Sequence, residues 1–216
     1  MTAVTAGLVC AHHHLYSSLA RGMPPPPKVP ANFLEILENV WWRLDTALDL
    51  EMIEWSAKLG ALDALEAGTT AIIDHHESPL AIEGSLSVIA DSVNEVGVRI
   101  NTTYGIPDRH GTDGAARGLA ENDRYLTELA SGSGGSQLGL RAGMVGVHAA
   151  FTCSDDSLAA AADLAERHGV GVHIHVAEGL DDIGAEERIR NLTCDKWLLI
   201  HGVHLPTDHG LHGTIV

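Results

Sequence analysis

A strict alternation of strand-like and helix-like segments constrains this chain more than any other feature. Apolar runs of strand type occupy residues 8–10, 70–73, 98–104, 144–148, 170–176 and 197–200. Stretches over 51–67, 83–96, 114–130 and 155–168 carry apolar residues three and four apart, the spacing of amphipathic helices. Gly68, Gly97 and Gly169 each separate a helical stretch from the next strand, at the left-handed stop position that glycine fills cheaply. Ser154, followed by Asp155 and Asp156, marks the start of the fourth helix. Strands apolar on both faces, alternating with helices, form a parallel sheet. An open doubly wound sheet and a (β/α) barrel both fit. Polar residues at the C-terminal ends of several strands favour the barrel, because barrel enzymes keep their chemistry there. A full barrel has eight strands over about 250 residues. This chain has 216 residues and six strand candidates. The expectation is one domain over 1–216, an α/β TIM-type barrel with about six of its eight strands. Pro24 to Pro27 reads as a rigid extended spacer, and 131–136, rich in Gly and Ser, as a flexible loop inside the domain.

Composition narrows the partners. A formal net charge of −16 argues against nucleic acid and anionic membranes, which both need a basic surface. Cys10, Cys153 and Cys194 are too scattered for a disulfide framework, so a reducing compartment is the default. No secretory leader or membrane-length apolar run is apparent, and a cytoplasmic protein is expected.

The chemistry lies in histidines at strand ends. His12 and His14 close the first apolar run, in Gly-Leu-Val-Cys-Ala-His-His-His. Residues two apart on a strand share a face, so both can address one point while His13 turns away. His173 and His175 also share a face, in Val-Gly-Val-His-Ile-His-Val-Ala-Glu, and spacing does not choose between them. Glu178 follows just past that strand. His201 closes Trp-Leu-Leu-Ile-His-Gly, and His148 closes Val-Gly-Val-His. Asp74, His75 and His76 end the second strand as mouth residues or supports for the ligands. Neutral imidazoles converging beside a carboxylate suit a hydrolytic metal ion: the metal activates water, and the carboxylate moves its proton. A surface histidine cluster is the bland alternative for the first run, and buried hydrogen-bonded histidines for the others.

Taken together, these segments resemble the amidohydrolase superfamily, in the branch of SsnA-type aminohydrolases, guanine and 8-oxoguanine deaminases and triazine hydrolases. The resemblance rests on the histidine run from Gly7, Trp-Trp-Arg-Leu-Asp from Trp41, and Ile-Ile-Asp-His-His-Glu-Ser-Pro from Ile72. It continues through His-Ala-Ala-Phe-Thr from His148, His-Ile-His-Val-Ala-Glu from His173 and Ile-His-Gly-Val-His-Leu from Ile200. It implies metal ligation by His12, His14 and His175, with His175 preferred to His173. It implies Glu178 as proton shuttle and His201 as the histidine beside the attacking water. His148, Trp41 and His75 become candidate substrate contacts. The implied cofactor is one divalent metal ion, zinc or iron, and the implied reaction is attack of metal-bound hydroxide on a carbon bearing an amine. A chlorohydrolase on the same scaffold is the near alternative. The partner is a small-molecule substrate.

The sequence also departs from the family. The aspartate expected after the eighth barrel strand has no counterpart. Thr112-Asp113-Gly114 has a similar context but falls between the third and fourth strands, where it reads as a helix start. The flanking β-sandwich is lacking as well. These departures point to a fragment, and an inactive fragment with weak or no metal binding is a second reading. Open sheet edges invite association, so a homo-oligomer is a third.

Overall fold

The computed structural model describes residues 4–132, 139–190, 192, 196–205 and 213–216. Cys194 and most of the Gly/Ser-rich loop lie outside them. Eight parallel segments form one sheet: β1 (Leu8–His13), β2 (Thr69–His76), β3 (Arg99–Ile106), β4 (Arg141–Gly143), β5 (Val145–Ala149), β6 (Val172–Val176), β7 (Trp197–His201) and β8 (Gly213–Ile215). The order is β1-β2-β3-β5-β6-β7-β8, with β4 also on β3. β4 pairs with Ile100–Thr102 and β5 with Gly105 and Ile106, so the two are successive parts of one barrel strand. Seven strand positions are therefore filled, one more than the six expected, and the sheet curls into a nearly closed barrel. β8 escapes a periodicity reading because three residues show no pattern. Among the described residues, β1 and β8 do not pair with each other.

Helices cover the outer face: α3 (Leu50–Glu66), α4 (Ser85–Val96), α5 (Gly111–Ala130) and α6 (Asp155–His168). Asp49 and Ser154 cap α3 and α6 by accepting from Met52 N and Ser157 N. Gly97 and Gly169 stop α4 and α6 with φ of 96° and 67°. Thr112–Gly114 lies in the first turn of α5, as read. Ile53, Ala57, Leu86 and Ile89 pack on Ile72 and Ile100, and Leu158, Ala161 and Leu164 pack with Val147, Ile174 and Leu199. A helical stretch the periodicity did not announce covers 33–45: α1 (Phe33–Ile36), a π turn Leu37–Trp41, and α2 (Trp42–Asp45). It carries Trp41, Trp42 and Asp45 to the C-terminal rim of the sheet. A fifth short outer helix, α7 (Ala185–Ile189), precedes β7. No helix among the described residues is long and apolar enough to cross a membrane.

Candidate metal and active site

The strand ends bring four imidazoles together. His175 Nε2, at the end of β6, lies 3.3 Å from both His12 Nε2 and His14 Nε2. His12, His175 and His201 each place a ring nitrogen within 4.8 Å of the other two. Two ring orientations are fixed from behind. His14 Nδ1 donates to His75 O at 2.8 Å, and His175 Nδ1 donates to His148 O. Each Nε2 is thereby left as a lone pair aimed at the others. Burial lowers the pKa of His12 to about 2 and of His14 to about 4, and holds His175 and His201 below the usual range. Mutual repulsion among the rings adds to this for His12, His14 and His175.

Neutral lone pairs facing one another at 3.3 Å are poor company without a cation between them. Two nitrogens each about 2.0–2.1 Å from a tetrahedral zinc stand roughly 3.3–3.4 Å apart. The donor set and its spacing therefore fit a divalent metal with an affinity for imidazole.

Glu178 and His201 leave their strands through strained turns. Ala177 has φ of 50° and His201 of 73°, both in the left-handed region, at a cost of about 1–3 kcal/mol each. The surroundings hold them there. Asp182 accepts from Ala177 N at 2.7 Å and Phe151 N at 3.1 Å, while His201 N donates to Val216 O at 2.9 Å. Glu178 Oε2 sits 3.5 Å from His201 Nε2. Burial, with Asp182 nearby, raises the Glu178 pKa to about 7, where a carboxyl can both take and return a proton at neutral pH.

These groups open onto a cleft of about 240 Å³. His148 and Trp41 line it, as anticipated, and Trp41 stands 5.6 Å from the His14 ring, centroid to centroid. His75 does not. It is wholly buried, with its ring 4.5 Å from that of His175 and 4.9 Å from that of His173. It points into the barrel interior one layer below the mouth, which corrects its expected place as a substrate contact. Asp74 is also buried. It accepts from Leu15 N and the Thr102 hydroxyl, tying the end of β1 to β2 and β3. His173 is buried beneath the converging rings rather than among them. His13 turns to the other face of β1, beside Cys10 and Ser17.

Several cleft residues were not singled out by sequence. Asp45, Glu77 and Asp182 line it, with Tyr16, Phe33, Trp42 and Phe151. Arg109, from the turn after β3, pairs with both Asp45 and Glu77. Asp45 and Glu77 stood inside quoted motifs, yet nothing in those motifs announced an ion pair.

Comparison with known proteins bears on the family and the fold. The sequence pattern of the amidohydrolase family matches residues 3–208. A 5'-deoxyadenosine deaminase from Methanocaldococcus jannaschii is 29% identical over 177 residues, which are 82% of this chain and 39% of that protein. An 8-oxoguanine deaminase from Pseudomonas aeruginosa is 29% identical over 95% of this chain and 49% of its own length. Among solved structures, a guanine deaminase from C. acetobutylicum superposes with a TM-score of 0.75 at 14% identity, over 94% of this chain and 50% of that one. A zinc-bound adenosine deaminase from Xanthomonas campestris superposes at 0.73 with 20% identity, over 97% and 48%. The chain thus spans half or less of the length of these relatives.

Proposed function

The chain belongs to the amidohydrolase family, and on that premise we propose that it is a metal-dependent hydrolase of carbon–nitrogen bonds other than peptide bonds, deaminating a small heterocycle. One observation carries the reading: His175 Nε2 stands 3.3 Å from both His12 Nε2 and His14 Nε2, the separation of two nitrogens on one zinc, with a carboxyl poised to shuttle protons nearby. Those three residues hold the metal, zinc in preference to iron because neutral imidazoles suit it well. A bound zinc lowers the pKa of water to near neutrality.

The chain's own groups do the rest. Glu178 takes a proton from the attacking water and returns it to the leaving nitrogen. His201 hydrogen-bonds the attacking oxygen and, 3.5 Å from Glu178, keeps that carboxyl turned to the reacting atoms. Trp41 and Phe151 flank the cleft with apolar faces that suit a planar ring.

Elemental mass spectrometry of the purified chain is the first test. The expected result is close to one zinc or iron per chain, lost in His12→Ala and His175→Ala and kept in His173→Ala. Metal content that follows His173 instead overturns the ligand assignment. Ammonia release from guanine, 8-oxoguanine and 5'-deoxyadenosine is then assayed with the loaded chain. No release from any of them removes the deaminase reading.

A further inference from the structure

Two cleft groups stand on different turns, Glu178 just past β6 and Phe151 just past β5. One side chain holds both turns. Asp182 Oδ2 accepts from Ala177 N at 2.7 Å, and Asp182 Oδ1 accepts from Phe151 N at 3.1 Å. Asp182 is 3% exposed and lines the cleft together with Glu178 and Phe151. It reaches back over a 3-10 turn, Leu180–Asp182, in which Asp182 N donates to Gly179 O at 3.1 Å.

Neither turn is kept by regular structure. Ala177, next to Glu178, has φ of 50°, which an L-residue holds only under restraint. Phe151 is the middle residue of a three-residue 3-10 turn, Ala150–Thr152. The segment that carries Asp182 grips this turn a second time: Arg188 donates to Ala150 O and to Cys153 O, at 2.6 Å each. A buried N–H without a partner costs about as much as a lost hydrogen bond, so each N–H keeps its turn on Asp182. A carboxyl accepts at both oxygens in either protonation state.

We propose that Asp182 is a positioning residue that ties the Glu178 proton shuttle to the Phe151 ring face, so that one carboxyl sets the reacting side and the stacking side of the cleft together. It acts through Ala177 and Phe151 and not on the reacting atoms. This inference rests on the proposed function in taking Glu178 as the shuttle and this cleft as the substrate site. Loss of Asp182 is then felt twice. Ala177 leaves the left-handed region and swings Glu178 away, and a displacement of about 1 Å costs up to about a hundredfold in rate. Phe151 no longer stands rigid against a bound ring, which weakens binding.

A double-mutant comparison on the zinc-loaded chain tests it. Calorimetry with benzimidazole reads ring binding without turnover. Phe151→Ala and Asp182→Ala should each weaken it about threefold or more, the worth of one aromatic contact. The double variant should bind no more weakly than the worse single one, and zinc content should stay at the parent value throughout. Effects that multiply in the double variant overturn the proposal, and so does a parent chain that does not bind the ring. Ammonia release separates the two arms: Asp182→Ala should lower kcat and raise KM, whereas Phe151→Ala should raise KM alone. A merely structural role for Asp182 leaves fewer active molecules, with kcat down but KM and ring affinity unchanged, and that result also overturns it. If Asp182→Ala does not fold, Asp182→Asn takes its place. Its single amide oxygen serves one turn while its N–H₂ faces the donor of the other, so kcat, KM and ring affinity all at parent values would refute the tie. No ammonia release from the parent chain would sink only the deaminase reading, and the ring-binding comparison would still decide the role of Asp182.

Discussion

Replacing Arg109 with methionine isolates the energetics of the buried charges. The Arg109 side chain is 12% exposed, against 1% and 4% for those of Asp45 and Glu77. Methionine keeps much of the stem's packing on Trp42 and removes the cation. Breaking a buried pair from one side costs about 3–5 kcal/mol, because a desolvated charge is left behind. At about 2–4 °C per kcal/mol for a chain of this size, the melting temperature should fall by about 6–20 °C. The pH dependence is more diagnostic. Burial raises both carboxyls to about 7, even though Arg109 pulls each down. A carboxyl raised on folding stabilises most below its unfolded pKa, and that contribution is lost as pH rises through about 7. Without Arg109 both carboxyls rise further, so the loss deepens with pH. Urea unfolding followed by tryptophan fluorescence at pH 5.5 and 8 measures it. The destabilisation at pH 8 should exceed that at pH 5.5 by at least about 1.4 kcal/mol, the worth of one pKa unit on one carboxyl. Equal losses at the two pH values, or a loss under about 1 kcal/mol at pH 8, would refute the reasoning.

Three further perturbations follow from the same structure. Free zinc at one hundred times its dissociation constant should add about 2.7 kcal/mol, or about 5–11 °C of melting temperature, to chelator-stripped chain; His175→Ala should erase the shift, and a shift that survives would place the metal elsewhere. Wholly buried His76 bonds Ser78, and burial lowers its pKa to about 3. A lowered histidine stabilises above pH 6.5 and loses that contribution as pH falls, by up to about 1.4 kcal/mol per pH unit. His76→Gln should therefore reduce the drop in urea midpoint between pH 7 and 5.5, and an unchanged drop would assign the acid sensitivity to other groups. A Cβ on Gly146 would stand 2.3 Å from Tyr104 O, a backbone atom that cannot swing away. Gly146→Ala should cost at least about 1–3 kcal/mol in thermal unfolding, and a neutral result would show that β3 and β5 can part.

The sequence exposed those parts of the molecule whose physics is local or periodic. Apolar runs and stop glycines foretold the strands and helices, since period and left-handed φ are written residue by residue. His12 and His175 could be foreseen as neighbours because a parallel barrel brings all C-terminal strand ends to one rim. The limit of that logic is visible at His75: the same rule placed it at the mouth, but an inward-facing residue one layer deeper fills the barrel instead. The Asp45–Arg109–Glu77 network lay beyond it altogether. Arg109 reaches Asp45 across 64 residues and Glu77 across 32, and no spacing rule links loops so far apart. A lone Arg or Asp on a loop is by default solvated. What reverses that default is the helical stretch at 33–45, which folds over the rim and excludes water from all three. The histidines at the rim are set by the strands, where pattern is readable. The Asp45–Arg109–Glu77 network is set by how that stretch closes on the turn after β3, and that packing has no signature in the chain before it folds.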